Sequence, residues 1–330
     1  MIKEELLNRF PRCNLLVAGA TGQLGTITLK GFSNLPGVNI RAVYHKRQPT
    51  VFADNIAYVQ ADLRNLKDCR KVVEDIDITF MFAGRLLTAP VLAKNPISPV
   101  TETMIMNAQM LESAYFAGVK KFLWLSSSTG YPSREGLLAE DDMFEGDPPD
   151  VYFSFGWMSR YTEVLSRMYA TKLRNPMTIV VIRPTTIYSE YESFHFESSH
   201  FLPALVRRVV ERNKPIVVWG TGENTRDLIY AGDVIDASLM ALEKVTSFDV
   251  FNIGFGKESS INELLKIILE IDNYQDAEIV YDTSKPQTVK KTHIDLTKSQ
   301  KFLRFKAKTP IREGIARMVE WYKRNRIVED

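Results

Sequence analysis

Three glycines follow the first apolar run of the chain at a spacing that suits the binding of a diphosphate. Residues 19–25 read Gly-Ala-Thr-Gly-Gln-Leu-Gly, and a stretch with helical periodicity comes next. The glycines allow a tight turn, a close approach of backbone amides to the anion, and close packing of a helix whose N-terminus attracts negative charge. The pattern predicts a dinucleotide-binding loop, and a plain tight turn is the alternative. The predicted cofactor contacts in this loop are Gly19, Thr21, Gly22, Gln23, Leu24 and Gly25.

Cations stand at the end of the second apolar run, where dinucleotide-binding proteins commonly place an acid for the ribose. The segment reads His45-Lys46-Arg47. Positive charge at this point suits a 2′-phosphate, so the sequence favours NADP as the cofactor and leaves NAD open. A solvated basic loop is the alternative, in which His45 faces water instead of the cofactor.

Two further pairs of residues are expected to contact the cofactor. Asp62 and Leu63 follow the third apolar run, where an acid can meet the edge of an adenine. The alternative for Asp62 is a helix cap. Ala83 and Gly84 follow the fourth run and complete the predicted cofactor site.

These residues require a framework in which strands and helices alternate. Apolar runs rich in Val, Ile, Leu and Phe, without clean alternation, indicate strands buried on both faces, as in a parallel sheet. Helical patterns lie between them, among others at 68–74, 102–116 and 155–172. The order predicts an α/β fold with a Rossmann-type doubly wound parallel sheet. The predicted strands are Asn14–Ala18, Ile40–Tyr44, Ala57–Gln60, Thr79–Phe82, Lys121–Leu125 and Thr178–Ile182.

The regular alternation of strands and helices ends after residue 182, where prolines and short elements indicate a smaller C-terminal substrate-binding region. We therefore expect an NADP-binding Rossmann domain at 1–182 plus about 216–250. The second domain is expected at about 183–215 plus 251–330. Within it, Ser260-Ile-Asn-Glu263 predicts a capping box that opens a helix, and 310–325 has the apolar pattern of another helix.

Bulk composition narrows the range of partners. The 330 residues carry a net charge of +2, and 45% are hydrophobic, as in ordinary globular proteins. Basic residues are spread along the chain, and no apolar run reaches the ~18 residues of a membrane span, so neither nucleic acid nor membrane is expected as a partner. Cys13 and Cys69 form no close pair, and no cysteine lies near His195 and His200. We therefore expect no disulfide, no metal site and a cytoplasmic location.

Six ordered segments carry a resemblance to a known family. They are Trp124–Pro132, Arg183–Tyr188, Ser193–Arg208, Trp219–Tyr230, Tyr281–Pro286 and Glu313–Tyr322. On these segments the chain resembles the extended short-chain dehydrogenase/reductase (NAD-dependent epimerase/dehydratase) family over nearly its whole length, and within it the GDP-L-fucose synthases. The resemblance implies that the substrate is a nucleoside-diphosphate sugar, and we expect it to be GDP-linked.

The resemblance also implies roles for single residues. Ser127 stands at the position of the family's catalytic serine. Two of the implied substrate contacts are arginines, whose guanidinium groups offer the forked donors that phosphate oxygens accept. The implied substrate contacts are Ser128, Arg208, Trp219, Arg226 and Lys285.

The chain departs from the family at its catalytic pair. Most members carry a tyrosine and, four residues later, a lysine on the helix that follows the serine strand. The lysine lowers the pKa of the tyrosine, so that the phenol shuttles a proton during hydride transfer. Here Phe155 and Ser159 take these positions, and neither can do that work. Either another residue carries the proton, or the protein performs a reaction without this step.

Four residues are the candidates for the chemistry. Tyr152 comes one turn before Phe155, just inside a helix that Asp150 is expected to cap, and a packed core aromatic is its alternative. His200 titrates near neutrality and can act as a general acid or base in an epimerisation next to a carbonyl. Thr129 replaces the cysteine that assists this histidine in the resembling enzymes. The predicted catalytic residues are Ser127, Thr129, Tyr152 and His200.

The sequence thus predicts an enzyme that modifies a keto- or deoxysugar nucleotide by epimerisation or reduction. The alternative is a catalytically altered or inactive protein that binds the sugar nucleotide and NADP without turnover. Apolar surface on the helices at 102–116 and 155–172 predicts a homodimer, since family members pair such helices across a two-fold axis.

Overall fold

A seven-stranded parallel sheet forms the centre of the molecule. The computed structural model describes residues 2–85, 95, 97–195, 199–284 and 293–325. The strands are β1 Cys13–Ala18, β2 Val38–Tyr44, β3 Ile56–Gln60, β4 Ile78–Met81, β5 Lys121–Leu125, β7 Thr178–Pro184 and β11 Phe248–Ile253. Their order across the sheet is β11-β7-β5-β4-β1-β2-β3, and every neighbouring pair is parallel. The six predicted strands and the doubly wound fold are confirmed.

The order of the strands defines where a ligand can bind. The chain runs outward from β1 through β2 to β3, then crosses back to place β4 on the other side of β1. Beyond the carboxyl ends of β1 and β4, the connections leave in opposite directions and open a crevice. The glycine loop follows β1, and residues 82–85 follow β4, so both reach this crevice.

Helices cover both faces of the sheet. One face packs against α2 and α7, and the other against α3, α4 and α5. The apolar core between the sheet and α2 and α7 continues into α6, α8 and α9. The C-terminal region therefore shares its apolar interior with the Rossmann part. The helices are α1 Glu4–Asn8, α2 Gln23–Phe32, α3 Leu66–Val72, α4 Ser98–Phe116, α5 Phe153–Thr171, α6 Phe201–Val210, α7 Ala231–Lys244, α8 Ile261–Ile271 and α9 Ile311–Arg324.

Small sheets at the carboxyl side of the large one build the second region. The predicted capping box is confirmed, because Ser260 accepts a hydrogen bond from the Glu263 amide and the Glu263 side chain accepts one from the Ser260 amide. Within the range predicted as the second Rossmann segment, β11 joins the central sheet, whereas the strand at 216–219 pairs with the one at 279–282. The further strands are β6 Leu137–Leu138, β8 Thr186–Tyr188, β9 Ile216–Trp219, β10 Thr225–Tyr230, β12 Glu258–Ser260, β13 Ile279–Asp282 and β14 His293–Ile294.

A buried ion pair and the hydrogen bonds around it join four of the central elements. Arg183 on β7 donates to the carboxylate of Glu163 on α5 at 2.9 and 2.5 Å, and the two side chains are only 2% and 3% exposed. Ser126, at the end of β5, donates to the same carboxylate at 2.7 Å. Arg183 also donates to Tyr131, whose hydroxyl donates to Asn252 on β11. The pair is therefore fully hydrogen-bonded and fixes β5, β7, β11 and α5 relative to one another.

Removing one partner of this pair should destabilise the fold strongly. Glu163→Ala leaves the Arg183 charge buried without compensation, and we expect a loss of about 3–5 kcal/mol in the free energy of unfolding. Glu243→Ala is the matched control, because Glu243 pairs with Arg9 at 3.1 Å on the surface and should cost less than about 1 kcal/mol. Urea denaturation measures both, and equal losses in the two variants would contradict this role of the pair.

Candidate active site

The glycine loop has the shape of a diphosphate cradle. Gly22 is the N-cap residue of α2, which begins at Gln23. Gly19 adopts φ +84°, and a Cβ there would lie 2.8 Å from the Ala83 amide nitrogen. A Cβ on Gly25 would lie 2.3 Å from the Gly19 carbonyl oxygen. Side chains are thus excluded at Gly19 and Gly25, where the turn, the strand after it and the helix pack closely. This close turn at a helix N-terminus fits a dinucleotide.

The basic segment after β2 is exposed and lies beside this cradle. His45, Lys46 and Arg47 are all exposed, and an Arg47 terminal nitrogen donates to the Thr21 carbonyl at 3.3 Å. Arg47 thus contacts the cofactor loop, and the preference for a 2′-phosphate stays a prediction.

Asp62 is engaged by a neighbouring arginine. Arg64 donates to both carboxylate oxygens, and this contact lowers the pKa of Asp62 to about 2. The helix-cap alternative for Asp62 is wrong, since Asn65 caps α3 by accepting from the Lys67 amide. Leu63 is buried, and the predicted contact of this pair with adenine stays a prediction.

The turn after β5 brings two hydroxyl groups together. Ser127 Oγ and Thr129 Oγ1 are 2.8 Å apart, in a turn that spans Ser128–Gly130. Arg160, fully buried on α5, donates from Nε to the Gly130 carbonyl at 2.9 Å. A Cβ on Gly156 would lie 3.3 Å from the Thr129 carbonyl oxygen, so α5 packs closely against this turn.

The two positions that the family gives to tyrosine and lysine lie on α5. Phe155 is partly buried, and Ser159 is 1% exposed. Ser159 carries no charge. The next residue along α5, Arg160, is a cation, but its guanidinium group is turned to the Gly130 carbonyl.

Tyr152 lies just before α5 and close to Arg226. The expectation that Asp150 caps the helix is wrong: residues 150–152 form a 3-10 turn, and Tyr152 is itself the N-cap residue. Pro149 explains the difference, because its carbonyl accepts from the Tyr152 amide and closes this tighter turn. Burial raises the pKa of Tyr152, and the positive charge of Arg226 on β10 opposes the increase. Burial also lowers the pKa of Arg226, against the charges of Tyr152 and Glu258.

His200 is the N-cap residue of α6 and contacts a buried carboxylate. Its Nδ1 hydrogen-bonds Glu192, whose side chain is 6% exposed. Burial alone would lower the pKa of His200, but the hydrogen bond and the charge of Glu192 raise it above its ordinary value. An imidazole in this setting can exchange a proton near neutral pH.

The remaining predicted substrate residues line the small sheets. Arg208 on α6 donates to the Val217 carbonyl on β9 at 2.8 Å, and burial lowers its pKa. Trp219, at the end of β9, is 50% exposed. Lys285 lies outside the described residues.

Membrane-spanning helices and metal sites are absent from the part of the chain that the structure describes. No helix within these ranges is long and apolar enough to cross a membrane. Nor do three or more His, Cys, Asp or Glu side chains in the same ranges come together as a metal site.

Fold and site together define a doubly wound α/β protein whose glycine loop has the shape of a dinucleotide cradle. The glycine loop lies at the switch point of a doubly wound sheet, and the hydroxyl-bearing turn follows a strand on the far side of β4. Residues 15–254 match the model of the NAD-dependent epimerase/dehydratase family. The chain belongs to this family.

Relatives and solved structures agree with this assignment. GDP-L-fucose synthase 1 of Arabidopsis thaliana is 24% identical over 323 residues, which cover 94% of this chain and 96% of the relative. GDP-L-fucose synthase of Escherichia coli is 27% identical over 289 residues, which cover 80% and 87%. A UDP-glucose 4-epimerase of Thermotoga maritima, solved with UDP-glucose, has the same fold, with a TM-score of 0.83 at 23% identity over 94% of this chain and 99% of that structure.

Two acidic residues around the site could not be predicted from the sequence. Glu192 stands eight residues before His200 in an irregular segment, so no periodicity links them. Glu163 lies on α5, and the sequence carries no sign that Arg183 would pair with it. Both contacts depend on tertiary packing.

The close contact at Gly25 predicts that an added methyl group weakens cofactor binding. Gly25→Ala places a methyl group against the Gly19 carbonyl, and we expect a cost of about 1–3 kcal/mol in folding and an NADPH Kd raised about tenfold or more. Gly22→Ala is the control for folding, because its Cβ would lie 3.4 Å from the same oxygen and should cost less than about 1 kcal/mol. Calorimetric titration gives the Kd, and unchanged NADPH binding in Gly25→Ala would rule out this loop as the cofactor site.

Proposed function

We propose that the chain binds NADP(H) and a GDP-linked keto- or deoxysugar, and that it modifies the sugar by epimerisation or reduction. The observation that carries this proposal is a link between two predicted sites. Ser189 donates to the side chain of Gln23 at 3.1 Å, so the segment that leads to His200 is tied to the first residue of the cofactor helix. A proton-exchanging imidazole on that segment supports proton transfer beside a cofactor.

The shape of the glycine loop supports the cofactor part. Gly22 and Gln23 would hold the diphosphate at the N-terminus of α2, and Arg47 beside Thr21 would meet a 2′-phosphate. A bound nicotinamide cofactor would supply or accept a hydride. In this division, 1–182 plus about 216–250 serve the cofactor, and about 183–215 plus 251–330 serve the sugar nucleotide.

The proton chemistry needs a base and donors for an oxyanion. In an epimerisation next to a carbonyl, His200 Nε2 would take the proton from the carbon, and the electron pair of that C–H bond would move onto the carbonyl oxygen. Ser127 and Thr129, whose hydroxyls are 2.8 Å apart, would donate to this oxygen. Return of a proton to the opposite face gives the epimer. Tyr152 is the second proton carrier in this proposal, because Arg226 counters the rise in its pKa.

The arginines support the substrate class. Arg208 and Arg226 are both partly buried, and burial lowers the pKa of each, which leaves two desolvated guanidinium groups that gain from an anionic partner. A nucleoside diphosphate is such a partner. The names of the synthase relatives support guanosine as the nucleoside.

Exposed apolar side chains support a homodimer. The neighbours along one face of α5 are 41–51% exposed: Phe153, Trp157, Tyr161 and Val164. Met104 and Ile105 are exposed on α4, which packs beside it. We propose that two copies pair through these helices, as a light-scattering mass of two chains would show. The proposed location is the cytoplasm, where buried free thiols such as Cys13 and Cys69 stay reduced.

A ligand panel tests the proposed function. The protein is heated with GDP, UDP, CDP and dTDP sugars, each with NADPH, NADH or neither, because a ligand that binds the folded state raises its Tm. We expect the largest rise with a GDP sugar plus NADPH, and turnover of a GDP-4-keto sugar. A response to no sugar nucleotide, with no turnover, would contradict the proposal.

A protein that binds both ligands without turnover is the second candidate, and Phe155 and Ser159 favour it. Phe155→Tyr combined with Ser159→Lys restores the family's pair, and Phe155→Tyr alone is the matched control. If the native protein is an enzyme, we expect both the native protein and the double variant to turn over the sugar nucleotide. An inactive native protein that reduces a 4-keto sugar only as the double variant would establish the binding role and overturn the enzymatic one.

A further inference from the structure

Glu192 is a buried acid whose partner is a histidine of the proposed site. Its carboxylate contacts His200 Nδ1 and is 6% exposed, whereas the His200 side chain is 39% exposed. Within the described ranges, the Glu192 side chain has no other hydrogen-bond donor. A carboxylate buried this deeply is costly unless it is paired, and His200 is the partner that the structure shows.

The segment that carries Glu192 is anchored at both ends. On one side, Ser189 donates to Gln23 at the start of α2. On the other, the Phe194 ring stacks on Trp321 and Tyr322 of α9, with ring centroids 5.5 and 4.9 Å apart. Glu192 is therefore held by packing that does not involve His200 itself. This rigidity allows the carboxylate to determine where the imidazole lies.

We propose that Glu192 is the positioning residue of His200: it holds the proton on Nδ1 and leaves Nε2 as the atom that exchanges a proton with the sugar nucleotide. A carboxylate accepts a hydrogen bond only from a protonated ring nitrogen, so the contact selects one tautomer. Nε2 has no hydrogen-bond partner in the part of the chain that the structure describes. This inference rests on the proposed function.

The charge of Glu192 adds to its geometric effect. Burial acts to lower the pKa of His200, and the hydrogen bond and charge of Glu192 reverse this. Among the described residues, Glu192 is the only charged group that shifts this pKa. The pair therefore gives His200 a more basic Nε2 than a buried imidazole would have alone, and a stronger base suits the removal of a proton from carbon.

Glu192→Gln tests the proposal, because it keeps the shape of the side chain and removes its charge. NMR titration of the four histidines, with His200→Gln to assign the signal, measures the pKa directly. We expect the pKa of His200 to fall by about 1 unit, and kcat to fall about tenfold or more while KM changes less than about threefold. The pH at which activity rises should move down with the pKa.

Glu190→Gln is the matched control. Glu190 lies in the same segment and accepts a hydrogen bond from Tyr230 at 2.9 Å, so this variant removes an equal charge two residues away. We expect the pKa of His200 and kcat to stay near their native values. Glu192→Asp keeps the charge on a shorter side chain and should recover part of both losses. It also replaces Glu192→Gln in the titration if that variant does not fold.

The outcomes separate this inference from the proposed function. An unchanged pKa of His200 in Glu192→Gln, or an equal fall in Glu190→Gln, would overturn the positioning role even if the native protein turns over a sugar nucleotide. A fall confined to Glu192→Gln, in a protein that turns over none, would support the pairing and refute the proposed function.

Discussion

The buried pair of Glu163 and Arg183 is the contact on which the arrangement of the site depends. Both charges are almost completely out of solvent, and each finds further hydrogen bonds, to Ser126 and Tyr131. Charges in such surroundings tolerate little displacement, because any lost contact leaves an unpaired charge in a low-dielectric interior. Ser126 immediately precedes Ser127, so the pair fixes the strand end from which the catalytic turn starts. It also fixes α5, which carries the altered positions 155 and 159.

That constraint explains how the chain can lose a catalytic pair without losing the site. Phe155 and Ser159 change what α5 offers to a substrate, but the packing of α5 rests on other residues: Glu163, Arg160 and Gly156. The hydroxyl pair on the turn and the glycine cradle are held independently of the missing tyrosine. The proton-exchanging groups that are present, Tyr152 and His200, lie on different segments. We propose that the molecule keeps the binding framework of its family and moves the proton chemistry to other side chains.

Much of this could be predicted from the sequence, for reasons that differ between elements. Strands such as β1 and β7 each contain a continuous apolar run, at 15–18 and at 179–182, because both faces are covered, and this makes them visible in the sequence. The glycine loop was predictable because backbone sterics dictate its residue types. The start of α5 was not, since a proline carbonyl closed a 3-10 turn that moved Tyr152 out of the helix. The pairing of Glu192 with His200 was equally hidden, because it arises where an irregular segment is folded back by stacking on α9.

We propose that one cleft, next to the glycine loop, binds a sugar joined to a nucleoside diphosphate. A crystal structure of the protein with NADP and a GDP sugar tests it most directly. We expect the guanidinium groups of Arg208 and Arg226 both to contact the diphosphate, with the sugar near Ser127 and His200. A diphosphate bound elsewhere, or two guanidinium groups directed to unrelated parts of the molecule, would contradict it.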